Sequence, residues 1–512
     1  MRAVVIGAGF GGLAAAIRLA ALGLHVTVVE KQAGPGGRAA VHRAAGFVFD
    51  LGPTVITAHP LLEDLFRVEP GRPRLEPRLP TGLEATHRHV RLAALDPFYR
   101  VHFPDGTWFD YRQDRQALME EVRRVSPAEV PGFLRFEEAA RAIFEQGFLR
   151  LGLTHFRSHW DLLRVTPQLV RLGALRPLWQ LVRRCFRDPK LRQVFSFETL
   201  LIGGDPRRVP AIYALIHFVE RTWGVHYVRG GTGALVQALV RKLEQLGGEV
   251  RYNAEVCRVS VEDGRVTGVR LAGGSRLDAE VVVSNADPAH TYLDLVGAEH
   301  LPAPVRWRIR KLRPSPGVFV VYFGFRGPAG GPVLHHNVLL PEDYEGVLRQ
   351  IFQERRLPDR MALYLHVPTL TDPSLAPPGC HAAYALALVP PWDGRVRWSL
   401  VGPEYAQRVL ARVEEAGLLP GVRERLEYVY WRTPEHFAEE LNSHLGNAFG
   451  PEPVLWQTAS FRPRNRGEGV KGLYLVGAGC QPGAGVPGVL MSAKITARLV
   501  AEDLGLQRTG GV

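Results

Sequence analysis

Three glycines near the start of the chain, Gly7, Gly9 and Gly12, stand in a GxGxxG pattern, and an acid, Glu30, follows them. In this order these residue types suit dinucleotide binding. Gly7 permits a tight turn, Gly9 lets a pyrophosphate approach the backbone, and Gly12 lets a helix pack closely on a strand. Glu30 would accept hydrogen bonds from the adenosine ribose hydroxyls. The elements needed to position them are present in sequence. Ala3 to Ile6 is short and apolar, as a buried strand should be. Leu13 to Leu22 is rich in alanine and leucine and ends at Gly23, which predicts a helix. Val26 to Val29 predicts the second strand, with Glu30 at its end. The helix N-terminus then faces the pyrophosphate charge.

Two further glycine clusters could meet the same ligand. Gly36 and Gly37 precede Arg38, so backbone can pass close to a cofactor while a guanidinium neutralises phosphate. Near the C-terminus, Gly472 to Val476 predicts a buried strand. It feeds Gly477-Ala478-Gly479 and then Pro487-Gly488-Val489, before a helix from Leu490 to Leu504. A glycine-rich turn at a helix N-terminus offers backbone amides to an anionic edge. Between the ends, Gly230 to Gly233 opens a helix over 234–246, and strand signals run from Glu249 to Val261. Asp263-Gly264 and Gly273-Gly274 predict hairpin turns, and Glu280 to Val283 leads into Ser284-Asn285-Ala286-Asp287.

Composition removes whole classes. Of 512 residues, 46% are hydrophobic and 22% charged, which excludes a disordered or fibrous chain. The four cysteines, Cys185, Cys257, Cys380 and Cys480, have no CxxC spacing. A disulfide framework or structural zinc site is not expected, and a reducing compartment is. The pairs His335-His336 and His155/His159 lack a third ligand in sequence, so no metal is expected. A net charge of +12 admits an anionic partner, yet no nucleic-acid-binding module is present and no nucleic-acid partner is expected. The longest apolar stretches, Ala3 to Ile17 and Gly317 to Phe325, are too short to span a bilayer. The first strand begins at once, so no leader is expected ahead of it.

Beyond the dinucleotide unit, the segment Lys31 to Pro53 resembles the second flavin motif of the amine oxidase and carotenoid desaturase superfamily. Other segments narrow the likeness: Phe195-Ser196-Phe197 with Leu200 to Gly204, Arg229 to Leu235, Ser284 to Tyr292, Ser374 to Cys380, and Leu473 to Lys494. Across nearly its whole length the chain resembles the bacterial phytoene desaturase type of the carotenoid desaturase family. The resemblance implies an α/β fold: a Rossmann-like FAD-binding domain with a mixed α+β substrate domain. The expected FAD-binding parts are 1–75, 225–300 and 440–512, and the substrate- and membrane-facing parts are 76–224 and 301–439. The implied FAD contacts are Gly7, Gly9, Gly12, Glu30, Gly37, Arg38, Pro53, Thr54, Val256 beside the adenine, Gly479, Pro487, Gly488 and Val489. The implied reaction is FAD-dependent desaturation of a long carotenoid polyene, 15-cis-phytoene towards lycopene, with a quinone or oxygen as electron acceptor.

The same resemblance points to Glu138 and Arg141 as an acid/base and cation-stabilising pair beside the flavin. They stand at i and i+3, with Glu138 where relatives carry Asp. A second departure is Cys480-Gln481, where relatives carry Thr-His. The water-insoluble substrate implies a protein held peripherally on the inner face of the cell membrane. The expected docking segment is Phe148 to Phe186, where Leu175, Trp179, Val182 and Phe186 share one helical face among arginines, and Pro167 and Pro177 divide short helices. The alternatives are a related enzyme (a 3,4-desaturase, a diapophytoene desaturase or an isomerase) and a non-catalytic isoprenoid-binding protein of the same fold.

Overall fold

The strand β1 (Arg2–Ile6) is buried from Ala3 onward because it runs through the centre of a five-stranded parallel sheet. This computed structural model describes residues 1–506, so the last six positions of the range 440–512 lie outside the described residues. β1 pairs on one side with β2 (His25–Val29), Ala3 opposite Val26, and on the other with Val281–Ser284. Glu249–Arg251 and Leu473–Leu475 complete the two edges. The sheet is therefore assembled from three distant parts of the chain. The helix α1 (Phe10–Ala21) is buried at every position, packed between this sheet and the helices Thr232–Gln245 and Val486–Asp503. That surrounding explains its alanine-rich sequence, since small side chains allow close approach on all sides. Beneath it, the buried carboxylate of Asp64 accepts from Arg18 at 2.7 Å, Arg74 at 2.9 Å and Lys494 at 3.0 Å, which ties the first and last helices together.

A second sheet of seven strands has the order Leu426–Arg432, Gly317–Arg326, Cys380–Val389, Leu363–His366, His336–Leu339, Tyr99–His102 and Trp108–Tyr111. All its pairings are antiparallel except that between His336–Leu339 and Tyr99–His102. Gly317–Arg326 reads as an unbroken apolar run because both faces are covered. Val318, Val320 and Tyr322 face one core, while Phe319, Val321 and Phe323 face another beneath the helix Trp398–Glu415. The helices Val130–Phe144, Leu178–Cys185 and Leu215–Trp223 pack together over the first of these cores. A small antiparallel sheet, Val256–Glu262, Arg265–Leu271 and Arg276–Asp278, returns the chain to the first sheet, turning at Asp263-Gly264.

Two expectations about the segment Phe148 to Phe186 are corrected. Trp179, Val182 and Phe186 are buried in the aromatic core rather than turned outward, because Phe186 stacks on Phe195 at 4.7 Å and the helix Leu178–Cys185, which Phe186 caps, packs on Val130–Phe144. Pro167 does not divide helices; it lies inside His159–Arg171. The outward apolar face belongs to that helix, where Trp160 is 73% and Val170 59% exposed.

Candidate active site

At the end of β1 the chain turns through Gly7, whose φ of 95° is reached cheaply only by glycine, and its amide donates to the Val29 carbonyl at 2.8 Å. Glu30, buried at the end of β2, accepts from the amides of Ala8 at 2.8 Å and Gln32 at 3.0 Å, and still lines the cavity. These two bonds orient the carboxylate and leave lone pairs for a ligand's hydroxyls. Gly12 does not line the cavity. A Cβ there would run into the Gly7 carbonyl, so it serves the helix–strand contact. Gly9 and Gly11 have a role that sequence did not expose. A Cβ on Gly9 would lie 2.7 Å from Asn285 Oδ1, and one on Gly11 2.8 Å from Asn285 Nδ2. Asn285 also donates to the Val476 carbonyl at 2.9 Å, so its side chain links the N-terminal turn to the C-terminal strand. Its only sequence signal is its place just past the strand Val281–Ser284.

Arg38 points to a phosphate-sized anion. Its Nη2 is held by Ser443 Oγ at 2.8 Å and by Asn447 at 3.2 Å, but its buried Nε has no partner among the described residues. Burial lowers the guanidinium's basicity, and Asp287 offsets this only through space. A cation without a carboxylate partner among the described residues, in the wall shared with Gly9, Gly36 and Gly37, fits the pyrophosphate of a dinucleotide. Pro53 and Thr54 are fixed from two sides. Thr232 Oγ1 donates to the Pro53 carbonyl at 2.7 Å, and Thr54 Oγ1 lies 2.8 Å from Tyr384 Oη and 3.1 Å from Tyr364 Oη. Asp50 accepts from the Thr232 amide at 2.9 Å, and burial pushes its carboxyl up to about 6.

The C-terminal turn closes the same wall. The buried Arg462 donates to the carbonyls of Ala478 at 2.6 Å and Cys480 at 3.1 Å. Gln481 accepts from the Phe156 amide at 3.0 Å and donates to the Ala459 carbonyl at 3.0 Å. Cys480 is buried, and that pushes its thiol up to about 11, which makes it a packing residue rather than a nucleophile. Gly479, Pro487, Gly488, Val489, Val256, Gly37, Pro53 and Thr54 all line the cavity with Gly7, Gly9, Glu30 and Arg38.

That cavity has a volume of about 800 Å³ and does not stop at the glycine loops. It continues between the seven-stranded sheet and the helical layer, where Leu200, Ile212, Ile216, Val318, Val320 and Leu388 line it. Two carboxyls, Glu198 and Glu220, interrupt this apolar part, and sequence reading missed both. Its lining also includes Leu162, Leu169, Leu455 and Phe461, whose near neighbours in the chain Trp160, Leu163 and Trp456 are exposed.

One expectation fails on placement, and the premise of another changes. Glu138 and Arg141 are exposed and do not line the cavity; the helix Val130–Phe144 turns Phe133, Phe136, Ala140 and Ile143 inward, which puts these two on the opposite face. The pair His335-His336 does acquire a third histidine. One ring nitrogen from each of His335, His336 and His366 lies within 4.8 Å of the others. Burial holds all three neutral. Their bonds run to Thr371, Tyr364 and one another.

Residues 10–501 match the family model described as flavin containing amine oxidoreductase. The chain is 44% identical over 504 residues to a lycopene-forming phytoene desaturase of Pseudescherichia vulneris, covering 98% of this chain and 99% of that one. It is 41% identical over 511 residues to a neurosporene-forming phytoene desaturase of Rhodobacter capsulatus, covering 98% and 94%. Among solved structures, an oxidoreductase from Methanosarcina mazei superposes with a TM-score of 0.63 at 20% identity, covering 98% of this chain and all of that one, which establishes the likeness of fold.

Proposed function

The chain belongs to the flavin containing amine oxidoreductase family, and from that premise we propose that it is an FAD-dependent phytoene desaturase. In this reading it converts 15-cis-phytoene towards lycopene in carotenoid biosynthesis. The observation that carries the reading is one cavity with a dinucleotide-binding wall at one end and an aliphatic interior at the other. At about 800 Å³ it lies high in the roughly 300–1,000 Å³ range of ligand sites. Relatives that take the same substrate to different products, lycopene and neurosporene, support the substrate class.

When bound, the flavin supplies the two-electron acceptor for loss of hydrogen from two neighbouring carbons. The protein's residues do the rest. Arg38 and the amides at the start of α1 would hold the pyrophosphate, and Glu30 would hold the ribose. The turn Gly479 to Val489 would offer amides to the flavin. The aliphatic wall aligns the polyene and excludes water. A quinone or oxygen takes the electrons onward.

No helix among the described residues is long and apolar enough to cross a membrane. The substrate must still come from a bilayer, since each CH₂ moved into water costs about 0.8 kcal/mol. Trp160, Leu163, Val170 and Trp456, exposed and close in the chain to residues that line the cavity, form the surface for peripheral docking. The test is flavin-loaded protein incubated anaerobically with liposomes carrying 15-cis-phytoene and a quinone. Growth of polyene absorption as quinone is consumed supports the reading, and the band positions count the new double bonds. A bound flavin with no product under these conditions rejects the substrate. Trp160→Glu with Leu163→Glu should lower liposome binding without loss of flavin; unchanged binding rejects that surface.

A further inference from the structure

The apolar part of the cavity contains two acids that, among the described residues, have no counter-charge and keep one carboxyl oxygen each without a hydrogen bond. Glu198 lies in the helical turn Phe197–Ile202 and Glu220 in the helix Leu215–Trp223. Both are at least 95% buried, and both line the cavity. Among the described residues, Glu198 Oε1 and Glu220 Oε2 have no hydrogen-bond partner. Among the described residues neither carboxyl forms an ion pair; the nearby Arg221 is engaged by Glu137 instead. A buried carboxylate left this way costs several kcal/mol, so its presence calls for a use.

The surroundings separate the two acids. Glu220 Oε1 accepts from Tyr99 Oη at 2.7 Å. Tyr111 bonds Nδ1 of His217, which burial keeps neutral. The groups facing the pair are thus Tyr99 and Tyr111 from two strands and His217 and Arg221 from the helix of Glu220, and Arg221 is the one cation among them. Burial raises Glu198 to about 7. Glu220 is pushed higher, by burial and by repulsion from Glu198. Two carboxyls in one dry site do not ionise together, so one carries the charge and the other keeps its proton.

We propose that Glu198 is the base that accepts the proton lost from the polyene, with Glu220 as its protonated partner. This rests on the desaturase reading. Two C–H bonds break on neighbouring carbons. One hydrogen leaves with its electron pair to the flavin. The other leaves as a proton to the Glu198 carboxylate, and the electrons of its bond form the new C=C. Glu198 becomes a carboxylic acid and returns its proton to solvent when the product leaves. The assignment replaces Glu138, which the fold turns away from the cavity.

The experiment compares wild type with Glu198→Gln, Glu198→Asp and Glu220→Gln. The first readout is the rate of flavin bleaching by 15-cis-phytoene under anaerobic single-turnover conditions, across pH. The second is the infrared C=O band of protonated carboxyls in substrate-free protein. In Glu198→Gln, flavin should still bind, but bleaching should slow by about 100-fold or more, and the limb of the pH profile near neutrality should vanish. Glu198→Asp should restore part of the rate, and Glu220→Gln should keep the limb. In wild type, carboxylic-acid absorption should persist at neutral pH, and its titrating part should be missing from Glu198→Gln. Wild-type bleaching rates and pH profile in Glu198→Gln would overturn the assignment, as would the absence of any protonated carboxyl at neutral pH. A wild type that shows the band but is not bleached by phytoene would instead overturn the substrate reading, and with it the source of the proton.

Discussion

Replacing Arg38 by methionine should weaken flavin binding while leaving the unliganded protein at least as stable as before. The side chain contributes little to the unliganded fold. Only Nη2 is bonded, to Ser443 and Asn447, and Asn447 Oδ1 keeps a second donor in the Gly450 amide at 2.7 Å. Its Nε is buried and unpartnered, so the unliganded protein carries the cost of a poorly solvated cation. Methionine fills similar space without that cost. A phosphate would receive at least one charge-assisted hydrogen bond from this group, and such bonds contribute about 1.5–3 kcal/mol. At about 1.4 kcal/mol per decade, flavin should bind roughly 10- to 150-fold more weakly. Arg38→Lys should fall between, keeping the charge but losing the planar fork. The assay is a flavin titration followed by fluorescence, paired with the thermal melt of the unliganded protein. An unchanged Kd together with a lowered Tm would refute the reasoning, because Arg38 would then be a structural pin.

Other outcomes follow from the same geometry. Gly12→Ala forces its Cβ against the Gly7 carbonyl and should cost about 1–3 kcal/mol or more in stability, measured by denaturant unfolding, along with flavin affinity. Glu138→Gln and Arg141→Ala remove exposed groups and should leave single-turnover bleaching within about twofold of wild type, on the usual scale of surface substitutions. Asp64→Asn leaves Arg18 and Lys494 buried without their counter-charge and should cost about 3–5 kcal/mol. The Asp64 carboxyl is held below the usual range by Arg18 and Lys494, against the opposing effect of burial. Its contribution is therefore complete above its unfolded pKa of about 3.9 and lost as pH falls through the lower folded value; acid unfolding of Asp64→Asn should lack that component.

The sequence made the βαβ unit legible because each of its parts is local: strand, turn, helix, strand and Glu30 follow one another. The C-terminal turn was legible for the same reason, and the small sheet was marked by its Asp263-Gly264 hairpin. Placement on helix faces was harder. The i, i+3 spacing of Glu138 and Arg141 correctly set them on one face, but it did not say which way that face turns. Phe133, Phe136, Ala140 and Ile143 carried that information, since they mark the inward side. The face of Trp179 and Val182 is equally suited to a core or to a lipid surface, and only packing against Phe195 and its neighbours decides for the core. Glu198 and Glu220 come together from separate segments, and the one hint in sequence was an acid among the apolar residues Phe195, Phe197, Leu200 and Leu201. Asn285 was hidden because its work is to fill the space that Gly9 and Gly11 leave open.

The most direct measurement is an anaerobic titration of the flavin-loaded protein with two substrates, 15-cis-phytoene in lipid and a primary amine such as putrescine, followed by flavin absorbance. A cavity whose interior is lined mainly by aliphatic side chains such as Leu200, Ile212, Val318, Val320 and Leu388 predicts bleaching by phytoene, with a more conjugated polyene as product, and no response to the amine. Bleaching by the amine with phytoene inert would contradict the account.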